Sequence, residues 1–392
     1  MNILLTTVFD YPHAGGLSTH VTTLKAGLEA RGHHVDVVSI SDASPVKVKL
    51  MAQGPSFLIN KVTKGKGIIW SRNARQKLLA ELIKEKVKTH SYDIINAQDT
   101  YATFASLESG VPVVSTVHGY MAFEAVSKGS VEEHSKEAQY LQQMEIKAFK
   151  TTRKVITVDQ RIKNYVADQA GITATAIKNF IDIDSFKPDS SNKMTFRKKH
   201  HVSENAKVIF IPRRLTKKNG VIYPAMALKE VVKQFPDALL IYAGSGEEMG
   251  TIKKFVAENN LEKNVSLLGA IAHDTMKEYY ALTDIVLVPS VYSAGVEEAT
   301  SISALEAMGS GAPLVASAVG GLKEIVDNNV DGFLTEEKNV EELTDAILQL
   351  FSNKDLSETF ATKARTKIEQ EYSHLAAAEK YEAIYLEALN QK

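Results

Sequence analysis

Residues 289–317 read PSVYSAGVEEATSISALEAMGSGAPLVAS, and the apolar run Asp284 to Val288 leads into them. Gly309 and Gly311 break the segment before a second apolar run, Pro313 to Ala316. The order is strand, turn, short helix, turn, strand, which places the two strands side by side in a parallel sheet. In an open parallel sheet, ligands bind in the crevice beyond the carboxyl ends of the strands, and Glu298 falls there. Thr300 and Ser301 are helix starters. Ser301 is expected to cap the helix, whose free N–H groups and positive dipole end suit a phosphate. Glu306 follows Glu298 with seven residues between them, inside the small, apolar segment Ala304-Leu305-Glu306-Ala307-Met308. Its carboxylate can accept two hydroxyl hydrogen bonds, so the segment is suited to holding a sugar nucleotide.

The rest of the chain repeats the same rhythm. In the first half, strands are expected at Ile3 to Val8, Val35 to Ile40, Ile94 to Ala97, Val113 to Thr116 and Val155 to Val158. In the second half they are expected at Val208 to Pro212, Ala238 to Ala243, Val265 to Leu268, Ile285 to Val288 and Pro313 to Ala316. Helical stretches such as Ser18 to Arg31, Pro224 to Gln234 and Thr251 to Asn259 separate them. Short apolar strands alternating with helices give α/β architecture with both sheet faces covered. Two such halves form two Rossmann-like, doubly wound domains facing each other across a cleft.

Composition is that of an ordinary soluble globular protein: 392 residues, 44% hydrophobic and 24% charged. A net charge of −1 argues against a nucleic-acid binder. The absence of cysteine removes disulfides, thiol nucleophiles and thiolate metal sites, and fits a reducing cytosol. The amino-terminal run Asn2 to Val8 reads as a buried strand rather than a signal peptide, and no apolar run reaches the ~20 residues of a membrane span.

Several motifs stand at strand ends. Gly15-Gly16 follows the first strand and precedes a helix, where glycine lets backbone N–H groups approach an anion. His118-Gly119 follows the strand at Val113 to Val117; His13 and His20 read as ordinary loop and helix residues. Pro212-Arg213-Arg214-Leu215-Thr216-Lys217-Lys218-Asn219-Gly220 follows a second-half strand and offers planar forks and point charges for phosphate oxygens. Gly244-Ser245-Gly246 and Gly269-Ala270-Ile271 are turns after strands; the first lacks the third glycine of a dinucleotide fingerprint. His273 reads as part of a loop and helix cap. Asp182-x-Asp184 has no further ligand cluster in sequence to make an octahedral site, so a metal-free mechanism is expected.

The two glutamates and their setting resemble the E-x7-E signature of the retaining glycosyltransferases of family 4, which have the GT-B fold. Thr116-Val117-His118-Gly119 resembles that family's Thr-x-His-Gly element, whose histidine lies beside the donor sugar. Arg214-Leu215 onward resembles its Arg-Leu-x-x-x-Lys-Gly pattern with one departure: in a gapless match Asn219 stands in the lysine's place. Lys218 is taken as the second cation beside Arg214, with Lys217 or Asn219 as alternatives. Asn179 to Pro188 is similar to the family's hinge element. The resemblance implies domains at 1–181 on the acceptor side and 182–371 on the nucleotide-sugar side, with 372–392 as a helix crossing back onto the first domain.

It further implies transfer of a hexosyl group from a UDP- or GDP-sugar with retention of anomeric configuration and no cofactor. Glu298 would hold the sugar hydroxyls and Glu306 the ribose. Arg214, Lys218 and the helix start at Thr300, Ser301 and Ile302 would neutralise the diphosphate, and His118 would orient the sugar. Gly15, Gly16, Gly244 and Ile271 would border the donor. A sugar-nucleotide 2-epimerase and a non-catalytic nucleotide-sugar-binding subunit are the alternatives. The acceptor is expected to be a sugar, a lipid-linked compound or an anion. Residues 41–90 carry eleven basic and three acidic side chains, with Phe57 and Trp70 among them, which suits an anionic acceptor or a peripheral contact with the inner membrane face.

Overall fold

The computed structural model describes residues 1–13, 16–63, 65–127, 129–292 and 300–391. The chain divides into two compact units, Met1–Asn179 with His374–Lys392, and Phe180–Ser373.

Unit 1 is built on six parallel strands: β1 (Asn2–Thr7), β2 (His34–Ser39), β3 (Ile94–Ala97), β4 (Val113–Val117), β5 (Lys154–Thr157) and β6 (Thr175–Ala176). Their spatial order is β2-β1-β3-β4-β5-β6. The order reverses at β1, which pairs with β2 on one side and β3 on the other, Leu4 lying opposite both Asp36 and Ile95. Leu4, Leu79, Ile83, Ile95 and Tyr101 form one buried layer, supplied by strands and by the helices Lys66–Thr89 and Thr100–Leu107. The helix His374–Asn390 packs on the helix Gly16–Ala30 at Gly27, where an added Cβ would lie 2.4 Å from the His374 carbonyl oxygen.

Unit 2 contains β7 (Val208–Ile211), β8 (Leu239–Ala243), β9 (Val265–Gly269), β10 (Ile285–Val288), β11 (Leu314–Ser317) and β12 (Phe333–Thr335), in the order β12-β11-β10-β7-β8-β9. Every pairing among these strands is parallel. The two-residue period of β7 is visible in its packing. Val208 and Phe210 enter one buried cluster with Tyr280 and Leu305, while Ile209 and Ile211 enter the opposite one with Leu228 and Ile347. Both faces of the sheet are therefore dry, as a run without polar alternation requires.

Two edge strands, β6 and β12, were not expected from the sequence. At two and three residues they are too short to carry a hydrophobic pattern of their own. Asp182 and Asp184 belong to a turn: Asp182 Oδ1 accepts from the Asp184 N–H at 2.9 Å and the Ser185 N–H at 3.1 Å.

Candidate active site

In unit 2 the strand order reverses between β7 and β10, so the loops leaving these neighbours diverge and open a crevice at their carboxyl ends. One loop begins at Pro212, the other at Pro289. Arg213 fastens them together. Its Nη1 donates to Ser301 Oγ at 2.9 Å, and its Nη2 donates to Asn219 Oδ1 at 2.8 Å and Ser290 Oγ at 2.9 Å. The buried Asn219 donates in turn from Nδ2 to the Arg214 carbonyl at 2.7 Å. Gly220 has φ +61°, and a Cβ there would fall 1.8 Å from the Pro289 carbonyl oxygen. Only glycine allows that approach of one loop to the other. The Val291 N–H completes the seam by donating to the Lys218 carbonyl at 2.9 Å.

The expected capping role of Ser301 is not realised. Ser301 occupies the position before the helix Ile302–Gly309, but its side chain makes no cap bond. Its hydroxyl oxygen accepts from the Arg213 guanidinium instead, because a charged donor is the stronger competitor for one acceptor. The leading N–H groups of the helix, at Ile302 and Ser303, have no intrahelical acceptor. Thr300 is buried beside Ser301.

Glu306 projects from the same helix and is buried. Its Oε2 accepts from the Tyr280 hydroxyl at 2.9 Å and its Oε1 from His273 Nε2 at 3.1 Å. His273 is the first residue of the helix His273–Leu282, and this pairing gives it a role beyond the loop-and-cap reading. The hydrogen bond that His273 donates to Glu306 raises the His273 pKa above its ordinary value, against the opposing effect of burial. Each carboxylate oxygen keeps a second lone-pair direction.

The remaining candidates in unit 2 divide by exposure. Arg214, Lys217 and Lys218 are exposed, whereas Ile271 is partly buried against the sheet. A Cβ on Gly244 would fall 2.0 Å from the Arg213 carbonyl, so glycine there is required by the seating of the arginine loop. Glu298 and Gly15 lie outside the described residues.

In unit 1 a cavity of about 710 Å³ opens at the carboxyl ends of β1, β3 and β4, at that sheet's own reversal point. His118 lines it and donates from Nε2 to Gln98 Oε1 at 3.0 Å. The His20 ring meets His118 edge-on with centroids 4.6 Å apart, and His20 Nε2 lies 3.2 Å from the Tyr381 hydroxyl of the C-terminal helix. Burial lowers the His20 pKa to about 4. Burial, and then the charge of His20, lower that of His118 well below its ordinary value, so His118 is a neutral imidazole at physiological pH. Gly16 opens the helix Gly16–Ala30, and a Cβ there would meet nothing within 4 Å.

The same cavity is lined by two carboxylates bound to backbone, the half-buried Asp99 and the buried Glu145. Asp99 accepts from Thr7 Oγ1 at 2.8 Å, the Val8 N–H at 2.9 Å and the Ala102 N–H at 2.8 Å. Glu145 accepts from the Met121 N–H at 2.6 Å, the Ala122 N–H at 3.2 Å and the Tyr165 hydroxyl at 3.1 Å. Burial, only partly offset by these bonds, pushes the Glu145 carboxyl up to about 7. The folded protein therefore binds more protons than the unfolded chain between 4.5 and about 7, and stability falls as pH rises through that window. Glu145→Gln removes this titration. Thermal melts should show the variant gaining on the wild type from about pH 5 to about pH 8. A pH-independent difference would contradict the raised carboxyl.

Residues 14–185 match the family model for Glycosyltransferase Family 4, and residues 192–367 match that for Glycosyl transferases group 1. The chain is 27% identical to an uncharacterized glycosyltransferase of Methanocaldococcus jannaschii, over 95% of each chain. It is also 27% identical to the UDP-Gal:alpha-D-GlcNAc-diphosphoundecaprenol alpha-1,3-galactosyltransferase of Escherichia coli, over 78% of each. Sucrose-phosphate synthase of Thermosynechococcus elongatus superposes with a TM-score of 0.74 at 19% identity, covering 100% of both chains. Folds and matches together define an enzyme of glycosyl transfer from nucleotide sugars. The chain belongs to the family 4-like glycosyltransferases of the GT-B fold.

Proposed function

We propose that this glycosyltransferase moves a hexosyl group from a UDP- or GDP-sugar to an acceptor bound by unit 1, with retention of anomeric configuration and without a metal ion. The observation that carries the reading is the seating of Arg213 at the reversal point of unit 2, beside the start of the helix that bears Glu306. Arg213, with the exposed Arg214 and Lys218 and the N–H groups at Thr300 to Ile302, neutralises the departing diphosphate, where negative charge develops in the transition state. Cations fixed on the protein fill the place a divalent ion takes elsewhere. Asn219, at the family's lysine position, accepts a hydrogen bond from Arg213. The charge absent at 219 is supplied from 213.

Glu306 takes the ribose hydroxyls and Glu298 the hydroxyls of the sugar, while Gly244 and Ile271 border the nucleotide. Gly15 and Gly16 bring backbone N–H groups to the donor, and His118 binds the sugar as a neutral imidazole. The unit 1 carboxylates Asp99 and Glu145 are engaged by backbone N–H groups, which supports a front-face route over a protein nucleophile. In that route the leaving phosphate oxygen takes the acceptor's proton as the new glycosidic bond forms. Proton NMR of the product from an α-linked donor tests the reading, with and without EDTA. An α-product and unchanged turnover in EDTA are expected. An inverted product, or activity that EDTA abolishes and magnesium restores, rules the mechanism out.

The proposal extends to a site of action on the inner, cytoplasmic face of a membrane. Leu50, Phe57, Leu58 and Trp70 are exposed on the helices between residues 45 and 89, next to Lys47, Lys49, Lys61 and Lys66. An apolar face rimmed by lysines suits an anionic bilayer surface. Among the described residues no helix is long and apolar enough to cross a membrane. The protein should sediment with phosphatidylglycerol vesicles at low salt and not with phosphatidylcholine vesicles; indifference to lipid charge would remove this element.

A further inference from the structure

We propose that the cavity of unit 1 binds the acceptor through an anionic group, a phosphate or a carboxylate, held by Arg72 and Arg75 with Tyr101 and Gln98. The inference rests on the transferase reading and names the chemical class of its second substrate.

Arg72 and Arg75 stand one turn apart on the helix Lys66–Thr89, share a face and line the cavity. Farther along this helix, Lys84 pairs with Glu108 at 2.7 Å and Lys86 with Asp36 at 3.2 Å. Among the described residues neither Arg72 nor Arg75 reaches a carboxylate. Both are instead fixed in place by uncharged groups. The Arg72 guanidinium carbon lies 5.9 Å from the Tyr101 ring centroid, and Arg75 Nη1 donates to the Val8 carbonyl at 3.3 Å. A planar fork held ready without a counter-ion is the arrangement that takes a phosphate or carboxylate in bidentate fashion.

Two further groups of the cavity wall point to the same ligand. The Tyr101 hydroxyl, on a side chain 2% exposed, interacts with the Arg72 guanidinium, while Gln98 Nε2, on a side chain 1% exposed, has no hydrogen-bond partner. Buried polar atoms in native proteins are rarely left so. Gln98 Nε2 can only donate, and burial raises the pKa of Tyr101 so that its phenol keeps the proton. Two guanidiniums, an amide N–H and a phenol O–H are all donors. Asp99 and Glu145 of the same cavity accept from backbone N–H groups, while Asp10 and Glu124, which also line it, are exposed. A neutral sugar could accept from the amide and the phenol but would bring no charge to the two guanidiniums. The volume of about 710 Å³ is that of a small-molecule site.

Isothermal titration of the full chain with inorganic phosphate in one arm and malonate in the other tests the assignment and separates phosphate from carboxylate. UDP and GDP are titrated first, then held at saturation to fill the diphosphate site of unit 2. At least one anion should bind saturably to the wild type. Its Kd should rise tenfold or more in Arg72→Gln/Arg75→Gln and several-fold in Tyr101→Phe, which removes one oxygen and keeps the ring. Failure of both anions to bind the wild type overturns the assignment, as does equal binding by the wild type and both variants. Absence of nucleotide binding in the first step counts against the transferase reading instead, and the anion titration is still read on its own terms.

Discussion

Turnover of an Arg213→Gly variant should fall by about 10²–10³-fold, the usual cost of losing one preorganised donor to developing negative charge. Arg213 is bonded to Ser290, Ser301 and Asn219 before any ligand arrives, so its charge is positioned without reorganisation. Removing it also strips three acceptors of a charged donor, and thermal stability should drop by about 1–3 kcal/mol. The informative measurement is the double variant. Adding Asn219→Lys to Arg213→Gly returns a cation to the position where the family pattern has its lysine. It should recover at least about tenfold of the lost turnover, since each 1.4 kcal/mol of transition-state stabilisation is a factor of ten. A double variant no more active than the single one would mean that Arg213 holds the two loops together without serving the diphosphate.

Glu306→Gln should weaken donor binding by about 30- to 150-fold, the range for losing charge-assisted bonds to two hydroxyls. The carboxylate is held by Tyr280 at 2.9 Å and His273 at 3.1 Å, so its orientation is set before any ligand arrives. A chemical control separates loss of ribose contacts from loss of packing. The wild type should discriminate strongly against 2′-deoxyribose donors, and the variant should discriminate little. If both forms reject the deoxy donor equally, Glu306 serves only to anchor the helix Ile302–Gly309 to Tyr280.

Most of the fold could be read directly from the chain, because fully buried parallel strands are near-continuous apolar runs. The run at Ile285 to Val288 coincides with β10, and the expected Val208 to Pro212 ended one residue beyond β7. The placement of side chains within the site was less legible. Arg213 and Arg214 are adjacent and chemically identical, and the resemblance pointed to Arg214. In the structure Arg213 is the one bonded into the crevice, while Arg214 is exposed. The cap at Ser301 failed because of a guanidinium 88 positions away, and His273 meets Glu306 across 33 positions. Local sequence rules carry no term for partners at such separations. The cavity of unit 1 was hidden for the same reason: its walls come from three strand ends and a helix far apart in sequence.

Unit 1 is discontinuous, with Gly27 seated against the backbone of His374, whereas unit 2 is one unbroken stretch from Phe180 to Ser373. Translation therefore delivers the middle of the chain as a complete folding unit while the first 179 residues still lack a piece of their own core. The groove over Gly27 stays unfilled until residues 374–390, made after the whole of unit 2, arrive to cover it.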